Sequence, residues 1–255
     1  MKVLVIGDSC TDIFIYGDID RICPEAPVPV IKTTHRTKNR GMAENVVANL
    51  EALGCEVDII TNPNDIKKIR YIDNRSNQLV LRVDEHDYCD KISNKELTKI
   101  REKSNEYDAV IISDYCKGFL FVDDMMDILS NCKNVFIDTK KQLGTWALDA
   151  KFIKINEFEH KKNYEIIPNY PDLTSKLIIT RGRDGCEYLG KIFSVEEVAV
   201  KDVSGAGDTF LAGLVVEYIK TEDIRRSIVF AQKCTTEVVQ KHGVATIWVE
   251  ENIYQ

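Results

Sequence analysis

Apolar residues recur along the chain with two spacings, which predict alternating strands and helices. Residues 2–6 (KVLVI) form a β-branched run ended by Gly7, as is typical of a buried strand in a parallel sheet. Residues 42–53 place apolar side chains at helical spacing and stop at Gly54. The same patterns predict strands at 56–61, 67–72, 78–83, 108–113, 134–138, 151–155, 177–181, 185–189 and 192–199, and helices at 93–105, 121–131, 143–149, 206–219 and 222–240. This alternation implies a mostly parallel sheet with right-handed crossovers, and hence an α/β fold in a single domain over 1–255.

A proline-rich stretch near the N-terminus predicts a second, smaller sheet. Residues 13–19 and 28–34 are predicted as short strands around a loop that contains three prolines. Because proline cannot donate a hydrogen bond to a neighbouring strand, we expect both strands at a sheet edge, standing off the main sheet. We predict a lid over a site, formed from about 13–34 together with 67–83.

Composition and charge exclude several classes of function. The 255 residues are 44% hydrophobic and 29% charged, which suits a globular domain with a sizeable core. The net charge of -7 argues against a nucleic-acid partner. We find neither a signal peptide nor an apolar run of membrane-spanning length, so we expect a cytoplasmic protein with no membrane contact. The eight cysteines and four histidines are dispersed, which predicts reduced thiols and no zinc site.

The clearest candidate chemistry lies in residues 201–213, KDVSGAGDTFLAG. Gly205, Ala206 and Gly207 stand directly before Asp208 and an apolar run that predicts a helix. The first N–H groups of a helix lack intrahelical partners and lie at its positive end, so they can bind a phosphate or a transferring phosphoryl group. A carboxylate there would repel a bound phosphate, but it could take a proton from an attacking hydroxyl. The pattern favours a kinase; a glycine-rich turn with an ordinary first-turn aspartate is the alternative.

Two aspartates follow the first predicted strand. Asp8 and Asp12 lie beyond its carboxyl end, where open α/β sheets bind ligands, and they could accept hydrogen bonds from sugar hydroxyls. Turn or capping aspartates explain these two residues equally well. A nucleotide would have to be held without a standard motif, because 185–191 lacks the Ser or Thr of a P-loop and 205–207 lacks the third glycine of a dinucleotide fingerprint.

Several segments agree with the sequence patterns of one family. DVSGAGDTF at 202–210 is similar to the C-terminal signature of the ribokinase-like (PfkB) carbohydrate kinases. GDSCTD at 7–12 and RICPEAPVPVIK at 21–32 resemble the bacterial D-glycero-D-manno-heptose-7-phosphate kinases within that family, as do NQLVLRVDEHD at 77–87, SDYCKG at 113–118 and FIDTKK at 136–141. The resemblance implies a ribokinase-like three-layer sandwich with a small β lid, and ATP and Mg²⁺ as cofactors.

The resemblance also implies roles for individual residues. Asp208 would deprotonate the accepting hydroxyl, and the N–H groups of Gly205, Ala206 and Gly207 would stabilise the transferring phosphoryl group. Glu159 would hold magnesium indirectly, through water. The expected sugar contacts are Asp8, Asp12, Gly41, Asn45, Arg82, Asp114 and Lys117, and the expected nucleotide side comprises Asn156, Glu159, Thr180, Arg181, Gly182, Ser204, Lys241 and Gly243. Helix capping by Asn156 and a solvated position for Glu159 are the alternatives, and for Arg82 and Lys117 a structural ion pair and a solvated face are preferred.

The chain departs from the family pattern in length and at one hinge. Met42 follows Gly41 where the family has a second glycine, and Glu44 adds charge near the expected sugar site. Only 62–66 connects two strands where the family has a further helix and strand, and the loop at 160–175 is also short. We expect a trimmed member with an incomplete sheet edge or helical layer. Bifunctional members of the subgroup carry a nucleotidyltransferase domain, a step that we expect here from another protein.

The leading interpretation is an ATP-dependent sugar kinase that phosphorylates the anomeric hydroxyl of D-glycero-D-manno-heptose 7-phosphate. A kinase for another sugar or sugar phosphate is one alternative, which the changes at Met42 and Glu44 would permit. A catalytically silent descendant that binds a sugar or nucleotide is the other alternative. The retained GAGD sequence at 205–208 and the family's NxxE element, here Asn156 and Glu159, argue against it. The resemblance further implies a homodimer through the lid strands, which would cover exposed strand edges.

Overall fold

Two β-sheets organise the chain in the computed structural model, which describes residues 1–247. The larger sheet contains β1 (Lys2–Gly7), β4 (Glu56–Thr61), β7 (Ala109–Asp114), β8 (Val135–Thr139), β9 (Phe152–Asn156), β10 (Leu177–Thr180), β11 (Cys186–Tyr188) and β12 (Lys191–Phe193). The smaller sheet contains β2 (Ser9–Ile22), β3 (Pro29–Met42), β5 (Ile66–Asp73) and β6 (Leu79–Glu85). The α-helices are α1 (Ala43–Ala52), α2 (Asn94–Lys103), α3 (Val122–Asn131), α4 (Glu157–Lys162), α5 (Pro171–Thr174), α6 (Ala206–Thr221) and α7 (Ile224–Val238).

The larger sheet is mostly parallel, as predicted. Its strand order is β12-β11-β10-β9-β8-β7-β1-β4, and the pairings from β4 to β10 are parallel. Only β11 and β12, at one edge, pair in the antiparallel sense. At the other edge β4 leads into β5 through a connection of four residues, so the edge strand is left without a further partner from this segment. The trimmed edge expected from the sequence is therefore present.

Alternate side chains of the parallel strands enter two separate cores. Leu4 and Ile6 of β1 pack with α2 and α3 on one face of the sheet, whereas Val3 and Val5 pack with α1, α6 and α7 on the other. Both faces of β1 are thus buried, which is why its positions from Val3 to Ile6 form a continuous hydrophobic run. The result is the predicted three-layer α/β sandwich. Within residues 1–247, no helix combines the length and apolarity needed to cross a membrane.

The smaller sheet has the order β3-β2-β5-β6 and stands apart from the larger one, as predicted. Its first two strands are longer than expected, at 14 residues each. The edge position is right for β3 but wrong for β2, which pairs with β3 on one side and β5 on the other. The reason is that two of the three prolines lie in the connecting loop, and Pro29 occupies only the first position of its strand, where it blocks little pairing.

Three further predictions of local structure were wrong. The strand expected at 192–199 ends at Phe193, because its partner β11 offers only three residues for pairing. The helix expected at 143–149 is a single 3₁₀ turn over Thr145–Ala147. The stretch at 160–175, expected as a loop, contains the end of α4 and the short helix α5.

Met42 joins β3 to α1 in a backbone conformation that favours glycine. Its φ is 57° and its ψ is -130°, and its side chain is 3% exposed. A non-glycine residue held in such a region costs on the order of 1–3 kcal/mol, while burial of the side chain offsets part of that cost. Met42 therefore keeps the backbone conformation of a glycine at the position where the family has its second glycine.

We expect Met42→Gly to be more stable than Met42→Ala by about 1 kcal/mol, since both variants lose the packing of methionine but only glycine relieves the backbone. Urea unfolding of the two variants measures the difference. Ala43→Gly, one position later in α1, is the control, and there glycine should be the less stable residue by about 0.5–1 kcal/mol. Equal stability of the two Met42 variants would show that the hinge is not strained.

Candidate active site

Asp208 lies in the first turn of α6 with its carboxylate bonded on both oxygens. The Tyr115 hydroxyl donates to Oδ1 (2.6 Å), and the Asn45 amide donates to Oδ2 (2.9 Å). Burial raises the pKa of this carboxyl to about 6, against the lowering effect of the two hydrogen bonds. The group is therefore mostly ionised at neutral pH but close enough to titration to exchange a proton, as a general base requires.

The loop before Asp208 depends on its two glycines. Gly205 has a left-handed backbone (φ 80°), and a Cβ there would lie 2.5 Å from Nδ2 of Asn45. A Cβ at Gly207 would lie 2.8 Å from Nζ of Lys154. In the described part of the chain, the N–H groups of Gly205 and Gly207 donate no hydrogen bond to the loop, whereas the N–H of Ala206 donates to the Val203 carbonyl (3.2 Å). Two of the three predicted anion-binding N–H groups are therefore free to bind a ligand.

A buried ion pair lies next to this loop. Lys154 on β9 and Asp138 on β8 are register partners, and Nζ lies 2.7 Å from the carboxylate. Burial acts to lower the pKa of Lys154, but the Asp138 carboxylate outweighs it, so the pKa is raised and the ammonium stays charged. The pair thus places a permanent positive charge beside Gly207.

Asp8 and Asp114 are both buried, and both carboxylates accept hydrogen bonds from the protein. Asp8 follows β1 and accepts from the backbone N–H groups of Tyr115 (2.6 Å) and Phe119 (3.3 Å). Burial, with a smaller effect of nearby Asp114, raises the pKa of Asp8. Asp114 pairs with the Lys141 ammonium (3.0 Å) and also accepts from a neighbouring threonine hydroxyl (2.6 Å). Both aspartates therefore fix the loop that carries Tyr115.

The remaining predicted sugar contacts lie on or near the smaller sheet. Asp12 forms an ion pair with Arg70, and a side chain at Gly41 would overlap its carboxylate. Arg82 pairs with Asp84 on its own strand (2.7 Å). Lys117, which belongs to the loop after β7, likewise forms an ion pair, with the Asp87 carboxylate.

The predicted nucleotide residues form two groups, the first at the ends of β9 and β10. Asn156 caps α4 by accepting from the Glu159 N–H (2.9 Å), and the Glu159 carboxylate accepts from the Asn156 N–H (2.7 Å). Glu159 is only 4% exposed, so it does not lie on a solvated face, and burial raises its pKa. Thr180 is the register partner of Asn156, and the next residue, Arg181, pairs with Glu187 (2.5 Å) just before the turn at Gly182.

The second group surrounds Asp202. Its carboxylate accepts from the N–H of Ser204 (2.8 Å) and from the N–H of Gly243 (3.1 Å), so that it joins the loop before α6 to the segment after α7. Lys241 pairs with Glu237 of α7 (2.6 Å). The structure thus brings Ser204 and Gly243 together, while the Lys241 side chain contacts the end of the preceding helix, α7.

The carboxylates around Asp208 suit magnesium that is held indirectly. Among residues 1–247, no group of three or more His, Cys, Asp or Glu side chains is arranged to hold a metal ion directly. Asp138 nonetheless interacts electrostatically with both Asp208 and Glu159. An all-oxygen set of this kind fits Mg²⁺, which keeps several waters and binds through substrate phosphates.

Three residues at the site were given no role from the sequence: Tyr115, Asp138 and Lys154. Lys154 carried a usable signal, since a single charged residue within the apolar strand FIKIN indicates a buried lysine with a partner. Tyr115 and Asp138 stand inside segments that resemble family motifs, but their contacts depend on how distant strands and helices meet.

A parallel α/β sandwich with a detached β-sheet, and an acid beside a helix N-terminus, define the class of ribokinase-like kinases. The profile described as pfkB family carbohydrate kinase matches residues 68–251, and the chain belongs to this family.

Curated relatives extend the match over nearly the whole chain. The bifunctional protein HldE of Nitratiruptor sp. is 31% identical over 297 aligned positions, which cover 98% of this chain and 64% of the relative. HldE of Campylobacter curvus is 31% identical, with coverage of 96% and 63%. The chain thus spans just under two thirds of the length of these relatives. Since the alignments are longer than the chain, the relatives carry residues within the matched region that this chain lacks, in agreement with the predicted trimming.

Solved structures confirm the fold prediction. The ribokinase of Arabidopsis thaliana, complexed with ribose and ATP, superposes with a TM-score of 0.69 and covers 99% of this chain and 97% of its own. At 14% identity the likeness concerns the fold alone. The ribokinase-like architecture predicted from the sequence is therefore correct.

Proposed function

We propose that the protein transfers the γ-phosphoryl group of ATP to the anomeric hydroxyl of D-glycero-D-manno-heptose 7-phosphate. The observation that carries the kinase chemistry is the position of Asp208, bonded to Tyr115 and Asn45 beside the free N–H groups of Gly205 and Gly207. The choice of a heptose phosphate rests on the resemblance of residues 7–12 and 21–32 to the heptose kinases.

In the proposed reaction Asp208 takes the proton of the sugar hydroxyl as that oxygen attacks the γ-phosphorus, and the bond from the γ-phosphorus to the bridging oxygen breaks, so that ADP leaves. The N–H groups of Gly205 and Gly207 stabilise the negative charge on the transferring group, and the nearby Lys154 ammonium adds to that stabilisation. Magnesium, when bound, offsets the charge of the ATP phosphates. Asn156 and Glu159 would hold it through water, since the capping interaction between them fixes both side chains.

The nucleotide lies between the two groups of residues described above. Thr180, Arg181 and Gly182 line one side and Ser204 and Gly243 the other, with Lys241 nearby and the segment 231–243 beside adenine. The support is the Asp202 carboxylate, which holds the loop before α6 next to this segment. The reaction is assigned to the cytoplasm, where ATP is available.

The smaller sheet is proposed to act as a lid and as the contact of a homodimer. Strand β3 is an edge strand, and apolar side chains at this end of the sheet are exposed, with Ile22 at 60% and Val28 at 50%. An unprotected edge with exposed apolar residues favours pairing with a second copy. Sedimentation at two protein concentrations tests this assembly.

The function is tested by measuring phosphoryl transfer from ATP with magnesium to heptose 7-phosphates, hexose phosphates and free sugars. We expect the highest kcat/KM with D-glycero-D-manno-heptose 7-phosphate. A higher kcat/KM with another sugar would leave the proposed mechanism standing but would exclude heptose 7-phosphate as the preferred substrate. Binding of ATP or a sugar phosphate without any transfer would instead identify a catalytically silent protein.

We expect Tyr115→Phe to move the acid limb of the pH profile of kcat/KM to higher pH, by about one pH unit. The Tyr115 hydroxyl stabilises the charged form of Asp208, so its loss raises the pKa of this carboxyl above about 6. Less of the base is then ionised at pH 6–7. Tyr107→Phe is the matched control, because its hydroxyl donates to Asp58 on the surface (2.8 Å) and its removal should leave the profile unchanged. An unshifted profile in the Tyr115 variant would contradict the proposed contact.

A further inference from the structure

Lys68 is a buried cation on the face of the smaller sheet that approaches Tyr115. It lies on β5, is 8% exposed, and places Nζ 5.3 Å from the centre of the Tyr115 ring. Since side chains alternate along a strand, Lys68 shares its face with Arg70 and not with Lys67. The hydroxyl of the same tyrosine bonds to Asp208, so this ring connects the smaller sheet to the expected reaction centre.

No carboxylate neutralises Lys68 in the part of the chain that the structure describes. Within residues 1–247, no Asp or Glu oxygen lies within 4.0 Å of its Nζ, and its ammonium group donates no hydrogen bond. A lysine that is nine-tenths buried normally has such a partner, because loss of hydration disfavours the charged form. Burial accordingly lowers the pKa of Lys68.

The two acids next to Lys68 in the sheet are already paired with arginines. Asp12 is its register partner on β2, and that carboxylate binds Arg70. Asp84 is its partner on β6, and that carboxylate binds Arg82 through both oxygens (2.7 and 2.8 Å). The face therefore has equal numbers of aspartates and arginines, and Lys68 adds one positive charge that the sheet does not balance.

A second ammonium group lies near the same ring, at the end of β8. Nζ of Lys140 lies 4.2 Å from the centre of the Tyr115 ring, but this residue is exposed at the end of β8 and acts electrostatically on Glu159. Lys68, in contrast, acts on Asp12, one of the predicted sugar contacts. Lys140 also acts electrostatically on Lys68, so the two ammonium groups lie near each other at this ring, and Lys68 is the buried one.

We infer that Lys68 binds the phosphate group of the phosphorylated sugar, so that it selects a sugar phosphate over the corresponding free sugar. This inference rests on the proposed function. A phosphate dianion supplies the negative charge that the sheet lacks, and it accepts charge-assisted hydrogen bonds from an ammonium group. The phosphate lies on the side of the smaller sheet, and the accepting hydroxyl lies at Asp208.

The test compares Lys68→Met with Lys67→Met. Lys67 is the adjacent lysine on the opposite face, where it is partly exposed and pairs with Asp65 (3.6 Å), so its variant controls for the loss of one charge. For Lys68→Met we expect the KM for heptose 7-phosphate to rise about 10- to 100-fold, the range of one charge-assisted hydrogen bond, with kcat, the KM for ATP and the KM for free sugars nearly unchanged. Lys67→Met should match the native protein in all four values.

A second readout does not require turnover. Inorganic phosphate is titrated in the presence of a non-hydrolysable ATP analogue, which fills the loop before Asp208, and the melting temperature is followed. Phosphate should stabilise the native protein and Lys67→Met but not Lys68→Met. Equal stabilisation of all three proteins, or an equal loss of kcat for phosphorylated and free sugars, would overturn the inference. If no sugar is phosphorylated but the phosphate effect depends on Lys68, the proposed function fails and the anion site stands.

Discussion

Replacing Asp208 by asparagine should slow phosphoryl transfer by about 10²- to 10⁴-fold, the usual contribution of a general base. Asparagine keeps the shape of the side chain, and its oxygen can still accept from Asn45, but it cannot take the proton of the attacking hydroxyl. The KM values for ATP and sugar should change little, since the variant loses an interaction made in the transition state. Single-turnover rates at saturating substrate measure the effect.

Asp223→Asn is the matched control for this variant. Asp223 caps α7 by accepting from the N–H groups of Arg225 and Arg226, a task that asparagine performs equally well. The control should therefore keep the native rate and stability. A native rate in Asp208→Asn would place the base on another residue, and Tyr115, whose pKa burial raises well above its usual value, could not replace it.

Removing the Lys154 ammonium should destabilise the fold by about 3–5 kcal/mol, because Lys154→Met leaves the Asp138 carboxylate with no charge partner in the interior. Urea unfolding measures the loss. Lys161→Met, on exposed α4, removes a surface pair with Glu157 (3.6 Å) and should change the stability by no more than about 0.5 kcal/mol.

The double variant Lys154→Met/Asp138→Asn distinguishes a broken pair from a lost side chain. It should be more stable than Lys154→Met alone, since the uncompensated charge is gone. Phosphoryl transfer should stay slow in both, because neither places a positive charge beside Gly207. A single variant within about 1 kcal/mol of the native protein would show that the pair contributes little to stability.

The elements that the sequence predicted well are those whose signal is local. In β1 the positions from Val3 to Ile6 are all apolar because both faces of the strand are buried, and at the start of α6 two glycines stand just before Asp208 and a long apolar run. The anion loop and Asp208 could thus be located without knowing any contact. The strand expected at 192–199 failed because its length depends on β11, which alternation within the segment itself does not reveal.

Contacts between distant segments could not be predicted in the same way. Tyr115 and Asp208 are 93 residues apart, and the sequence contains nothing that pairs them before the loop after β7 meets the start of α6. The Asp138–Lys154 pair depends on the register between two parallel strands. Lys68 was missed for a related reason, since its missing partner is evident only after Asp12 and Asp84 are seen to bind arginines.

The buried carboxyl of Asp208 also sets a limit on how stable the unliganded protein can be. An acid whose pKa is raised in the fold binds its proton more tightly there than in the unfolded chain, so the contribution of Asp208 to stability is largest below its ordinary pKa of 3.8 and is lost as the pH rises through about 6. With an ordinary value of 3.8, this difference costs the folded state about 3 kcal/mol at neutral pH. The substitution that removes the base should therefore raise the melting temperature. Replacing Asp208 is therefore expected to exchange activity for stability.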